Sequence, residues 1–124
     1  MVAVSTWVNP NPRDMSYGHT DQKEFQNLVA SSANGKVKGI FYGEATSDPA
    51  SLADAAGTTI QFTGCNGVSL GDIVMGSFSL DAQDITVTFY VQAAGVIEAR
   101  VQNEGGAGVN LASGVFRFLV FDVT

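Results

Sequence analysis

Alternation between apolar and polar residues is clearest between Ile85 and Gln102. Ile85-Thr86-Val87-Thr88-Phe89-Tyr90-Val91 changes character at almost every step. After the break at Ala93-Ala94-Gly95, the run Ile97-Glu98-Ala99-Arg100-Val101-Gln102 resumes it, with the charges on even positions. A period of two places successive side chains on opposite faces of a strand. The pattern predicts two paired strands with one face buried and one face wet.

Other runs extend the sheet. Thr58-Thr59-Ile60-Gln61-Phe62-Thr63 alternates in the same way. Lys36 to Tyr42 supplies strand formers in Val37, Ile40, Phe41 and Tyr42. Ile73-Val74-Met75-Gly76-Ser77-Phe78 is apolar at both parities, which predicts a strand buried on both faces with Gly76 at a bulge. Val115 to Val123 is also apolar on both faces and belongs in the middle of a sheet or under an interface. Glycine, proline and aspartate mark the breaks: Glu44–Gly57 around Pro49, Gly64-Cys65-Asn66-Gly67, Asp81–Asp84 and Glu104–Gly108.

Only Thr20–Ser31 predicts a helix. Thr20 can cap it, Asp21 and Glu24 suit its first turn, and Phe25, Leu28 and Val29 share one stripe. Before it, Asn9-Pro10-Asn11-Pro12 enforces extended or turn geometry. The expected architecture is therefore all-β: a single β-sandwich or barrel-like, jelly-roll-like domain of about six to eight strands. Residues 1–35 form an N-terminal arm with one short helix, and residues 36–124 form the domain. An arm of this kind stays disordered unless its own domain or a neighbour holds it, and Trp7 and Tyr17 are the natural anchors.

Composition sharpens this picture. The chain has 124 residues, only 15% of them charged, and a mean hydropathy of +0.15. About a quarter charged is usual. Either Ser, Thr, Asn and Gln cover the surface, or much of it is buried against other subunits. The net charge of −6 is uneven. Residues 1–38 hold Arg13, Lys23, Lys36 and Lys38 against Asp14, Asp21 and Glu24, and the acidity lies in the remainder. An acidic body of this kind fits neither nucleic acid nor an anionic membrane. The N-terminus lacks the features of a signal peptide, and Phe118–Phe121 is too short to span a bilayer. The chain reads as one kept inside a cell, unless it leaves as part of something larger.

Candidate chemistry is sparse. His19, the only histidine, sits in the arm, a poor place to hold catalytic geometry. Cys65, the only cysteine, lies in a turn with no basic neighbour in the sequence to lower its pKa. Asp72, Asp81 and Asp84 flank one strand but lack the spacing of a calcium loop. Gly105-Gly106-Ala107-Gly108 lacks the lysine of a phosphate loop. No catalytic group, metal or cofactor is expected. Glu98 and Arg100 share a face and suit a cross-strand or intersubunit ion pair. Arg117, a charge in an apolar strand, is the best single candidate for such a contact.

Four segments carry a resemblance. They are Gly71-Asp72-Ile73 opening Gly71–Leu80; Ile85–Thr88; Ile97–Asn103 ending Arg100-Val101-Gln102-Asn103; and Leu111–Arg117 with Ser113-Gly114-Val115-Phe116-Arg117. With the lead-in Asp48–Gly57, this stretch resembles a small β-domain of tailed-phage structural proteins that includes capsid decoration, or cement, proteins. The resemblance covers roughly residues 48–121. It implies a non-enzymatic virion protein, made in the host cytoplasm, that binds the outside of an icosahedral head as a homotrimer. The partners implied are the major capsid protein and the protein itself. Trp7, Pro10, Pro12, Arg13, Tyr17 and His19 of the arm would lie across capsid or sister subunits, with Glu98, Arg100 and Arg117 as oligomer contacts. Removing residues 1–20 is expected to leave a folded domain that no longer binds heads. The alternatives are a receptor- or glycan-binding module of a fibre or spike, disfavoured by aromatic-poor loops, and a hydrolase, disfavoured by the missing nucleophile–histidine context.

Overall fold

The computed structural model describes residues 1–8 and 37–124. Within them the chain forms β1 (Val2–Ala3), β2 (Thr6–Val8), β3 (Gly39–Ser47), β4 (Gly57–Thr63), β5 (Ile73–Phe78), β6 (Ile85–Ala93), β7 (Val96–Asn103) and β8 (Gly114–Asp122). These strands make two four-stranded sheets, ordered β1-β4-β7-β6 and β2-β3-β8-β5. The sheets pack face to face as a β-sandwich, so the all-β architecture expected from the alternation is present as two open sheets. The expected helix Thr20–Ser31 lies outside the described residues. So do Pro10, Pro12, Arg13, Tyr17 and His19.

The core follows from parity. β7 sends Ile97, Ala99 and Val101 inward, β8 sends Phe116, Phe118 and Val120, β3 sends Phe41 and Ala45, and β4 sends Phe62. The rings interlock: Phe62 lies 5.5 Å from Phe116 and 5.3 Å from Phe118 between centroids. Tilted aromatic pairs at such spacings add to the burial of their area. A second apolar cluster of Leu52, Ile85, Val101, Val109 and Leu111 closes one end under the loops.

Strand β3 runs beyond Tyr42, where a loop was expected. Gly43 and Glu44 look like loop residues, yet each has a place in the sheet. A Cβ on Gly43 would stand 2.6 Å from the Trp7 ring, so only glycine leaves room for that indole on the inner face. Glu44 sits on the outer face opposite Arg117.

The N-terminal residues depart most from expectation. Val2 and Ala3 pair in parallel with Phe62 and Thr63, and Thr6–Val8 pair antiparallel with Tyr42–Glu44. The Val4 amide bonds the Thr63 carbonyl at 3.1 Å, and the next amide, Ser5, bonds the Glu44 carbonyl at 2.8 Å. The chain thus passes from one sheet to the other between adjacent residues and straps one side of the sandwich. Trp7 stacks on Phe41 with centroids 5.5 Å apart, and its indole N–H donates to the Asn66 carbonyl at 3.1 Å. Trp7 is therefore an anchor on its own domain. Its half-buried ring, expected as a capsid or sister-subunit contact, lies on the inner face against Phe41 and Phe118.

Strand β5 is a correction. It is the edge of its sheet, and Ile73 and Met75 are each 55% exposed, so it is not buried on both faces. Its register with β8 is unbroken from Ile73↔Phe121 to Phe78↔Phe116, so Gly76 marks no bulge. A Cβ there would instead stand 2.8 Å from the Phe89 ring of β6. The glycine admits that ring between the sheets.

Candidate functional site

The two outer faces of the sandwich differ in chemistry. Register assigns Gln61 on β4, Thr88 and Tyr90 on β6, and Glu98 and Arg100 on β7 to the outer face of the first sheet. That face is polar. Glu98 is only 8% exposed, because neighbours on both sides close over it. Tyr90 donates its hydroxyl to Glu98 Oε1 at 2.5 Å, and Gln61 Nε2 donates to Oε2 at 2.7 Å. The hydrogen bond to the carboxylate, followed by burial, pushes the Tyr90 pKa above the ordinary phenol value. Arg100 bonds Gln102 Oε1 at 3.1 Å. The pair expected from sequence shares this face, but Glu98 is committed to Gln61 and Tyr90.

The outer face of the second sheet is apolar. Ile40 and Tyr42 of β3, Leu119 and Phe121 of β8, and Ile73 and Met75 of β5 fall on it by register. Val8 of β2, opposite Tyr42, continues it and is 47% exposed. Tyr42, Met75, Arg117 and Leu119 line an open groove across it. The charges here are few and matched. Arg117 Nε lies 3.1 Å from Glu44 Oε2, and Tyr42 donates its hydroxyl to the same oxygen at 3.0 Å. Burial, then Glu44, raises the Tyr42 pKa. The ion pair is partly exposed and adds about 0–1 kcal/mol of stability. Its larger effect is to leave this face without net charge.

Arg117, singled out from sequence, is thus found in the apolar face, while Glu98 and Arg100 lie on the opposite one. The structure does not bring the three together. Sequence reading put Leu119 and Phe121 in the middle of a sheet or under an interface, but did not join them with Ile73 and Met75 into one outer face. The signal lay in Ile73, Met75, Leu119 and Phe121, apolar at positions where a one-face pattern calls for polar side chains.

The remaining chemical candidates have structural partners. The Cys65 thiol is buried, which pushes its pKa to about 11. That value keeps it protonated and unreactive near neutrality. Asp72 accepts from the Ser69 amide at 2.9 Å, the Val123 amide at 3.1 Å and the Thr124 hydroxyl at 3.0 Å. It ties a turn to the C-terminal residues. Asp81 accepts from the Gln83 amide at 2.9 Å, beyond the far end of β5. Asp72 and Asp81 therefore do not converge. No cluster of three or more His, Cys, Asp or Glu side chains able to hold a metal occurs among the described residues.

Comparison of the chain with family models, curated proteins and solved structures finds no match. The fold and these two faces define a β-sandwich with one polar and one apolar outer surface.

Proposed function

We propose that the protein is a non-enzymatic structural component of a virion, a decoration protein that binds the outside of an assembled head and stabilises it. The observation that carries the reading is the apolar face, without net charge, formed by Ile40, Tyr42, Ile73, Met75, Leu119 and Phe121. A contiguous apolar face on which Val8, Ile73 and Met75 are about half exposed has the character of an interaction surface. The polar face of the other sheet suits solvent. The sequence resemblance to tailed-phage decoration domains supplies the partner class, the major capsid protein, and implies a homotrimer.

The mechanism is linkage. A ligand that binds the assembled shell, and not the free subunits, shifts the equilibrium toward the shell. Each bound copy removes apolar area from water at about 25 cal/mol per Å². Many copies then sum to a large effect without strong individual affinity.

The test adds purified protein to heads assembled without it. Binding should saturate in proportion to the number of capsid subunits, and the temperature of head disruption should rise. Protein that stays in the supernatant, or that binds free capsid subunits equally well, overturns the reading.

A further inference from the structure

Among the described residues, the two lateral sides of the sandwich are built differently. One side ends in β1 and β2, strands of two and three residues. Short edge strands of this kind offer little template for pairing with another chain. The other side ends in β5, with six residues, and β6, with nine. Neither Ile-Val-Met-Gly-Ser-Phe nor Ile-Thr-Val-Thr-Phe-Tyr-Val-Gln-Ala contains a charge or a proline. Charge and proline, two of the devices that blunt an exposed edge, are absent from both strands, and the one irregularity, at Val91–Ala93, lies at the end of β6.

Hydrogen-bond parity shows what these edges present. The Ser79 amide donates to the Val115 carbonyl at 2.9 Å, one step beyond the β5–β8 register. Alternation then turns Ile73, Met75 and Ser77 toward β8 and aims the amides and carbonyls of Val74, Gly76 and Phe78 outward. On β6, the Glu104 amide donates to the Asp84 carbonyl at 3.0 Å. The same alternation directs the polar groups of Val87 and Phe89 outward. Leu70 and Leu80 flank β5 and are 63% and 45% exposed. Asp72, the one charge between them, is engaged by Ser69, Val123 and Thr124.

We propose that this open side is the docking surface for a second copy of the chain, with β5 against β5 and β6 against β6, both antiparallel, about a two-fold axis perpendicular to the sheets. Each four-stranded sheet then continues into that of its partner as one of eight strands. The occupant follows from three features. Each edge carries outward amides and carbonyls in a pattern that an antiparallel copy of itself matches. The net charge of −6 makes copies repel, and these two edge strands carry none of it. Strands of these lengths on sheets about 10 Å apart bury on the order of 1,000 Å² in total, which is what a specific pair needs. The pairing also sets both apolar outer faces on the same side. The inference does not depend on the capsid reading, and it predicts a two-fold pair where the family resemblance implies a trimer.

The test measures the mass of the full chain in solution across a concentration series, together with amide hydrogen exchange. A dimer should form as concentration rises, and the amides of Val74, Gly76, Val87 and Phe89 should become protected with it. The double variant M75K/T88K places a lysine on each edge and should weaken dimerisation at least tenfold. T59K, on the outer face of β4, should leave it unchanged. A mass that stays monomeric, or a trimer, overturns the proposal. So does a dimer in which those four amides exchange as fast as in the monomer, a readout that needs no variant to fold.

Discussion

Asn103 shows how much one polar side chain can organise. It is fully buried at the end of β7. Its Nδ2 donates toward the carbonyls of Leu52 at 3.2 Å, Ala53 at 3.1 Å and Ala107 at 2.8 Å, and its Oδ1 accepts from the Gly105 amide at 2.9 Å. Two loops are thus pinned to one strand end, over the apolar cluster of Leu52, Val101 and Val109. In Asn103→Ala those loop groups lose their partner away from water, a loss on the order of 3 kcal/mol. Denaturant unfolding should show that loss with an unchanged slope, and proteolysis should cut first in residues 48–56 or 104–113. Unchanged stability would mean that water replaces the amide. Asn103 stood in the sequence as the end of a recurring motif, and Asp72 as the start of one. Neither role could be read there, because the groups they satisfy are backbone atoms far along the chain.

At the scale of elements, the strap formed by β1 and β2 depends on a glycine. Trp7 fills the inner face over Gly43 and lies 6.2 Å from Phe118 between ring centroids. Trp7 is the only tryptophan in the sequence, so its fluorescence reports on this strap alone. Gly43→Val should expel the indole, shift the emission to the red and leave most of the β-sheet circular dichroism intact. Trp7→Ala should destabilise the fold on the order of 3 kcal/mol, the low end for a core aromatic, since the ring is half-buried. An unshifted emission in Gly43→Val would refute the strap's dependence on that gap. Strands β4, β6 and β7 were legible because their alternation persists over six or more residues, and β5 and β8 as apolar runs. The strap was not, since Val2, Val4 and Trp7 point inward with a phase break where the chain changes sheets. Strand β5 was misread because apolar residues on both faces look the same whether its own chain or a partner covers them.

At the scale of the whole molecule, two regions are candidates for the proposed contact with a head. Residues 9–36 carry Pro10, Pro12, Arg13, Tyr17 and His19, and the apolar outer face carries Tyr42, Met75 and Leu119. Deleting residues 1–20 no longer separates them, because that deletion also removes the strap and uncovers Phe41 and Phe118. Topology offers a cleaner cut. Val8 pairs with Tyr42 and the described chain resumes at Val37, so both ends lie at the same end of one sheet. The span between them is about five residues of strand, roughly 17 Å. A linker of about eight Gly and Ser residues in place of 9–36 should therefore keep the body folded. Leu119→Glu tests the face instead, since it sets a carboxylate in the apolar groove, where contact with a shell would desolvate it. If the face makes the contact, Leu119→Glu should lower head binding at least tenfold while the linker variant still binds. If residues 9–36 make it, the linker variant fails and Leu119→Glu binds as wild type does. Cosedimentation with heads reads both outcomes. The apolar face and the Arg117–Glu44 pair that leaves it without net charge favour the first.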